Sequence, residues 1–528
     1  MKMKRFLTLF IVSGIILLVQ SCSKPDQHLN TIPSDAAIVG SADLFSLAKK
    51  AELYDMDQYA MYKKMMDDLK NQDEEIYNFV KGLIDNPLKT GLKYREDVYF
   101  FVKGMDRSPT FGVTMSLRNA ADFKEFTNEL LVKSKAPVKL EEQDGLSYIA
   151  QGEAVLIFDD AKMLFLVKED GNAEDALNKA KELMTQPEEK SIVSLPSFST
   201  FKSNSQDMNI FMAMSNFPKT PQTAMIFSQL PFSLENNFSM FHFSFEDDGI
   251  YGTTNAIHND EIKKMLEDYK FMKPELDSKL LSFLPKDNYM SFGVALNPAE
   301  IYKFIYDIPS YKPMLDQANQ SSPLSIEKFV NSLGGDVIVA MHGFNLPDAD
   351  ETESYGNNVN MMPYATAILS MKDPEMYNQI TTTLIPPGLF TESNGVYSGD
   401  FDGIKVHFGL FENNLIVTND QSVIDAAKNG GFEDNVGDTD LASLYKHSSF
   451  FFMNLDWDKY PEGLKGMLSK TMGNSELEMF QSVTNVLKEA KAYSNSATES
   501  KFELVMRNTD GNSLHTILQM ADEFSSKN

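Results

Sequence analysis

An internal repeat of about 240 residues constrains this chain more than any other feature, because one fold must accommodate both halves. Ile32-Pro33-Ser34-Asp35 opens an apolar, strand-like run over residues 36–42, and Asp43 then stands as a helix N-cap before a helical pattern from Leu44. Leu284-Pro285-Lys286-Asp287 opens a matching run over 288–296, followed by Asn297-Pro298 and a helical pattern from Ala299. The match then continues in step. Asp97-Val98-Tyr99-Phe100 corresponds to Asp336-Val337-Ile338-Val339, and Phe111 to Leu117 with a helix from Ala120 corresponds to Ala365 to Met371 with a helix from Asp373. Asp144-Gly145 answers to Asn394-Gly395, Phe211-Met212 to Phe452-Met453, and Asp248-Gly249 to Asp510-Gly511, the Asp-Gly and Asn-Gly pairs being hairpin signals.

Each copy therefore reads strand, helices, hairpins, helix, hairpins. The pattern predicts an α+β class made of two tandem homologous modules, each mainly antiparallel sheet with helices packed on one face. The first module is expected over 32–273 and the second over 274–528. In the first, Met56, Tyr59, Tyr62, Met65/Met66 and Leu69 recur at helical spacing, and a helical segment over 260–269 follows its last strand. The second copy is expected to stop soon after its last strand. Residues 273–283 are too short, and too apolar at Leu280, Leu281 and Phe283, for a flexible linker, so the modules are expected to pack against each other.

Ahead of the repeat, Met1-Lys2-Met3-Lys4-Arg5 is basic, and Phe6 to Val19 is apolar except for Thr8, Ser13 and Gly14. That is the charged and apolar order of a signal peptide, with a core short for a membrane span. The run ends at Gln20-Ser21-Cys22, and Cys22 is the only cysteine of the 528 residues. This resembles a lipobox, which implies a signal peptide over 1–21, diacylation of Cys22 and a polar tether over 22–31. Acyl chains anchor at about 0.8 kcal/mol per buried CH₂. An ordinary secretory signal with an incidental cysteine is the competing reading; a single cysteine standing where a lipobox requires it favours the first.

The lipobox, the opening Ile-Pro-x-Asp segment with its strand and capped helix, the Asp-Gly and Asn-Gly hairpins and the two-copy layout together resemble the Bacteroidota lipoproteins grouped as domain of unknown function 4836. The resemblance implies a cell-envelope lipoprotein, and Ser23 after the lipidated cysteine fits outer-membrane sorting, so a lipid anchor at the outer membrane, on its periplasmic or its surface side, is expected. It brings no reaction, no cofactor and no catalytic residues with it.

Composition narrows the chemistry. The formal net charge is −27, from 48 Lys+Arg against 75 Asp+Glu, and only five residues are Arg, so the guanidinium forks that read phosphates and bases are nearly missing. Nucleic acid is excluded as a partner. One cysteine excludes a disulfide scaffold and a cysteine-based zinc cluster. No glycine-rich phosphate loop and no Gly-x-Ser-x-Gly elbow occurs. His28, His242, His258, His342, His407, His447 and His515 show no metal-ligand spacing, and a histidine alone in a strand reads as a surface or satisfied core residue. No metal and no cofactor is expected.

Acids offer the remaining catalytic possibility, an envelope hydrolase working on glycans through paired carboxylates. Asp159-Asp160, Glu246-Asp247-Asp248 and Asp400-Phe401-Asp402 are the candidates, each at a predicted turn, where Asp is favoured for its bonds to nearby backbone. Asp348 to Glu353 and Glu433 to Asp440 are acid-rich but lack the glycine and glutamate of a calcium loop, and read as solvated. Methionine (30), Phe (38) and Tyr (20) are abundant. A stripe such as Phe241, Phe243, Phe245 reads as core, while a groove between modules for an apolar ligand or an envelope protein is the binding alternative. Trp457, flanked by Asp456 and Asp458, reads as a half-buried strand-end residue. The expected function is a membrane-anchored, non-enzymatic binding or structural component.

Overall fold

The computed structural model describes residues 26–104, 108–217, 231–345, 362–386, 388–401, 403–507, 509 and 511–527. The signal peptide, Cys22, Asp348 to Glu353, Asp402 and Asp510 lie outside the described residues. The chain divides into two compact units, one of residues up to Asn259 together with those from Thr509 onward, the other Asp260–Asn508.

In the first unit the strands are β1 (Ile38–Ala42), β2 (Val98–Lys103), β3 (Thr110–Ser116), β4 (Glu141–Gln143), β5 (Leu146–Gln151), β6 (Ala154–Phe158), β7 (Lys162–Lys168), β8 (Met208–Ala213), β9 (Phe238–Glu246) and β10 (Gly249–Ile257). They pair antiparallel in the order β10-β9-β8-β1-β2-β3-β7-β6-β5-β4. The second unit has β11 (Met290–Ala295), β12 (Leu333–Asn345), β13 (Met362–Met371), β14 (Thr391–Ser393), β15 (Val396–Phe401), β16 (Ile404–Phe411), β17 (Asn414–Thr418), β18 (Ser449–Asn454), β19 (Leu487–Ser494) and β20 (Glu499–Met506). Its order, β20-β19-β18-β11-β12-β13-β17-β16-β15-β14, is the same topology shifted by ten strands.

Local signals did what their chemistry dictates. The tips of the β4–β5 and β14–β15 hairpins carry the same pair of positive φ values, 52° and 79° at Asp144 and Gly145, 53° and 79° at Asn394 and Gly395. Both residues of a type I′ turn need that conformation, which Asp, Asn and Gly reach most easily. Asp43 caps the helix Leu44–Lys50 by accepting from the Ser46 amide at 2.9 Å. Asn297 holds the corresponding place before Pro298–Asp307 but makes no side-chain cap bond; Pro298 in the first turn starts that helix instead.

Burial alternates with the pleat. In the first unit one face carries Val39, Tyr99, Phe101, Leu164 and Leu166 under the helices Ala173–Thr185 and Pro196–Ser203. The helices Glu74–Asp85 and Ala120–Ser134 add a second layer over Met115, Met163, Ile149 and Leu156 on the other face. The second unit repeats the scheme, with Ile338, Ala340, Ile368 and Phe450 on one face and a smaller cluster of Met371, Met376 and Tyr377 elsewhere. Where aromatic rings cross a glycine the approach is close: a Cβ on Gly112 would stand 2.2 Å from the Phe101 ring, and one on Gly293 2.3 Å from Phe450.

Four sequence expectations change. Residues 26–31, read as tether, form a 3-10 turn (Gln27–Thr31) whose His28, Leu29 and Thr31 are buried, because Leu29 and Ile32 supply apolar anchors to the first core. The stripe Phe241, Phe243, Phe245 faces away from that core; the register instead turns Met240 and His242 inward. Met65, one of the residues at helical spacing, is 37 % exposed, and only Met66 of the helix Ala60–Gln72 is buried. Finally, the last hairpin of the second unit turns between Ser494 and Glu499, so Gly511 is no hairpin tip.

Gly511, at φ 79°, instead precedes the helix Ser513–Lys527, which belongs to the first unit. There Thr509 Oγ1 donates to the Asp247 carbonyl at 2.6 Å, Asn512 Nδ2 to that of Phe245 at 2.9 Å and Ser513 Oγ to that of Gly249 at 2.9 Å. Tyr59 Oη donates to the Ala51 carbonyl at 2.6 Å and meets His515 Nδ1 at 2.9 Å. Asp522 accepts from the amides of Ala60 and Met61 at 2.7 and 2.5 Å, capping Ala60–Gln72 from across the chain. The helix Asp260–Asp268, which follows the first unit's last strand, belongs to the second unit.

Replacing Asp522 with Ala removes both cap acceptors and should lower the stability of the first unit by about 1–2 kcal/mol. Thermal melting of the full chain checks this; an unchanged first-unit transition would show that the cap contributes nothing.

Candidate functional site

Each unit carries a row of buried polar residues lying side by side across neighbouring strands. In the first, Thr114, Tyr99, Ser41, Asn209 and His242 stand opposite one another in turn on β3, β2, β1, β8 and β9. Asn209 Nδ2 donates to Ser41 Oγ at 3.0 Å, and its Oδ1 meets His242 Nδ1 at 2.9 Å. Beside the row, His28 Nδ1 meets Ser116 Oγ at 2.8 Å. The same row of the second unit runs Ile368, Ile338, Gly293, Phe450 and Tyr493, so the copies share a backbone, but in the second only the last strand keeps a polar side chain in this row.

The second unit has its own polar row, Thr366, Thr418, His407 and Ser398 on β13, β17, β16 and β15. His342 Nε2 meets Thr366 Oγ1 at 2.8 Å, and Asp420 Oδ2 lies 3.7 Å from His342 Nδ1. Carboxylate, imidazole and hydroxyl thus stand in the order of an activated nucleophile. The protons run the other way. Thr366 Oγ1 donates to Thr418 Oγ1 at 2.9 Å, and Thr418 Oγ1 to the Ala365 carbonyl at 2.9 Å, so the imidazole must donate to Thr366 rather than take its proton. Thr366 is also 1 % exposed, and Asp420 is occupied as the N-cap of the helix Gln421–Lys428. Burial lowers the pKa of His342, His407 and His242, keeping these rings neutral.

The candidate carboxylates are turn residues. Asp159 Oδ1 accepts from the amides of Ala161 and Lys162 at 2.8 and 2.9 Å, and Asp400 Oδ1 from that of Gly403 at 2.9 Å. Glu246 lies 3.7 Å from Lys50, while Asp247 and Asp248 form the tip between β9 and β10. In the acid-rich stretch near 433–440, Asn435 and Asp438 form a capping box. Among the described residues, no group of three or more His, Cys, Asp or Glu could hold a metal ion. Trp457 is half-buried, edge-on to Phe480 at 4.9 Å, and Asp456 and Asp458 beside it share Arg507 Nη1 at 2.7 and 3.0 Å.

Open volume lies elsewhere. Helices Glu74–Asp85 and Ala120–Ser134 run antiparallel, joined at one end by the Lys133–Glu75 ion pair and at the other by the turn Pro87–Thr90. Between them is a cleft of about 470 Å³, with Phe79, Leu83 and Phe126 as apolar lining and Lys89, Arg118, Glu125 and Glu129 as charged lining. The rings of Phe79 and Phe126 stack at 6.3 Å and 11°. A second cleft, about 500 Å³ and more polar, lies at the start of helix Ala120–Ser134 beside the β4–β5 hairpin and includes Asp159 and Asp160. The first cleft left no sequence signal beyond helical periodicity, because its lining comes from two helices forty residues apart.

Around His28 two titrations oppose each other. Burial pushes the His28 imidazole down to about 4, against the raising pull of Glu96 and Asp26. Burial and then the Asp43 charge push Asp97 up to about 6. Between pH 6.5 and 4 the unfolded chain binds the proton that buried His28 refuses, so this group loses stability as pH falls. Between pH 6 and 3.8 the folded chain holds the proton on Asp97, so that group gains stability as pH falls. Asp97→Asn removes only the second effect. Relative to the parent, the variant should be more stable at pH 7 and lose about 1–2 kcal/mol of that advantage by pH 4. Urea unfolding at several pH values checks this, and parallel curves would contradict it.

Comparison with known proteins adds the following. No curated protein matches the chain. Crystal forms I, IV and III of TP0453 are similar over 46 %, 46 % and 49 % of this chain and 85 %, 84 % and 91 % of theirs. Identities are 11 %, 10 % and 11 % and TM-scores 0.24, 0.23 and 0.23, values at which the likeness carries no argument. The family model described as Domain of unknown function (DUF4836) matches residues 28–514, which takes in every described strand of both units, and the chain belongs to that family.

Proposed function

We propose that the protein is a cell-envelope lipoprotein, held at the outer membrane by acylated Cys22, that binds a ligand rather than catalysing a reaction. One observation carries the binding reading: the His342–Thr366–Thr418 ladder runs its protons away from a nucleophile and Asp159 and Asp400 accept from turn amides, whereas the cleft beside Phe79 and Phe126 is open and lined by phenyl rings and charged side chains. The anchor reading rests on the basic and apolar residues before the sole cysteine. Among the described residues no helix is long and apolar enough to cross a membrane.

The buried turn at Gln27–Thr31 sharpens the anchor reading. Three residues separate Cys22 from Asp26, and the four Cα-to-Cα steps between them reach at most about 14 Å. Acylated Cys22 would hold the first unit against the bilayer surface rather than on a long leash.

Cys22→Ala should move the protein from the membrane fraction to the soluble fraction and abolish incorporation of labelled palmitate. Unchanged membrane association and labelling would sink the lipoprotein reading. Protease treatment of intact cells then separates surface from periplasmic exposure.

A further inference from the structure

Gly82 occupies the interior of helix Glu74–Asp85, where glycine is less stable than alanine because it gives up more backbone freedom. Packing does not require it: a Cβ at Gly82 would meet nothing within 4 Å. Its bare face lines the cleft opposite Asp122, Glu125 and Glu129, so the missing side chain keeps the cleft open at a cost to the helix.

The cleft is polarised along its length. Lys89 and Arg118 stand at the end closed by the turn Pro87–Thr90, and Glu125 and Glu129 lie further along the same wall. Arg118 is held in place, its Nη2 donating to the Leu88 carbonyl at 2.8 Å and to Asp122 Oδ2 at 2.5 Å, while its buried Nε has no hydrogen-bond partner. Lys89, Glu125 and Glu129 form no ion pair among the described residues. Like charges at Glu125 and Glu129, four residues apart, are a further local cost. Lys89 and the Asp122-paired Arg118 at one end, with Glu125, Glu129 and the stacked rings of Phe79 and Phe126 further along, form a complement to a zwitterion that carries an apolar side chain.

Length selects the size. Asp122, which holds the Arg118 guanidinium, stands seven residues from Glu129, about 10.5 Å along a helix, and three extended peptide residues cover about the same distance. We propose that this cleft binds a short peptide of about three residues with free termini, carboxylate toward Lys89 and Arg118, ammonium toward Glu125 and Glu129, and an apolar side chain against Phe79 and Phe126. This rests on the reading of the protein as a binding component and gives that reading its ligand class.

Calorimetric titration of the detergent-solubilised full chain with the tripeptide Ala-Phe-Ala tests it, beside the same peptide acetylated and amidated. Saturable binding of the free peptide is expected, at least tenfold weaker for the blocked one. Gly82→Leu should abolish binding and Arg118→Gln should weaken it at least tenfold. Gly82→Ala, a gentler change, should weaken binding while the melting temperature rises by about 2 °C. No binding by the parent, binding indifferent to blocked termini or to Gly82→Leu, or a fall in melting temperature for Gly82→Ala would each overturn the proposal. Membrane fractionation of Cys22→Ala is independent of all these outcomes, so failure of the cleft and failure of the anchor are distinguishable.

Discussion

Each unit depends on a short strand hydrogen-bonded along both edges. β1 lies between β2 and β8, and β11 between β12 and β18. The partners on one side are far away in sequence: Val39 faces Phe211, and Ser291 faces Phe452. Neither half-sheet is closed until a chain of some 170 residues returns, which explains why the repeating unit is a whole module rather than a shorter motif. Register at that strand is equally strict. A slip of one residue would turn Ser41 out of its row with Asn209 and Tyr99 and set Gly40, which lies under the Phe100 ring, in its place.

On this shared frame the copies have diverged in what they bury. The first fills its central row with Thr114, Tyr99, Ser41, Asn209 and His242, and the second fills the same row with Ile368, Ile338, Gly293, Phe450 and Tyr493. Bonds from Asn209 to Ser41 and His242, and from Thr114 to the His28 and Met163 carbonyls, offset part of the cost of burying those polar groups, while His242 Nε2 has no partner among the described residues. The first unit also gains the chain's last helix, whose Asp522 supplies the N-cap that Tyr59 cannot. The first unit therefore holds both ends of the described chain, the turn Gln27–Thr31 and the helix Ser513–Lys527.

What the sequence made legible was local or periodic. Asp-Gly and Asn-Gly specify a turn through their own dihedral preferences, Asp43 caps the helix that follows it through an amide three residues on, and alternation marks strands; these sufficed for the α+β class and the two copies. What it hid depends on partners distant in sequence. Alternation over Phe241, Phe243 and Phe245 is symmetrical, and only pairing with β8 decides that His242 and Met240 face inward. The helix Ser513–Lys527 looks self-contained, yet its polar residues meet Tyr59 and Ala60 across more than 450 positions. The cleft beside Phe126 needs two helices set apart, and in one dimension Gly82 reads only as a weak point in a helix.

The account turns on one frame used twice, with the end of the chain completing the first copy. Native-state hydrogen exchange under increasing denaturant, resolved by peptide mass spectrometry, tests this directly. Amides of Ser513 to Glu523 should lose protection together with β8, β9 and β10 of the first unit. Loss of protection in step with β18, β19 and β20 would contradict the account.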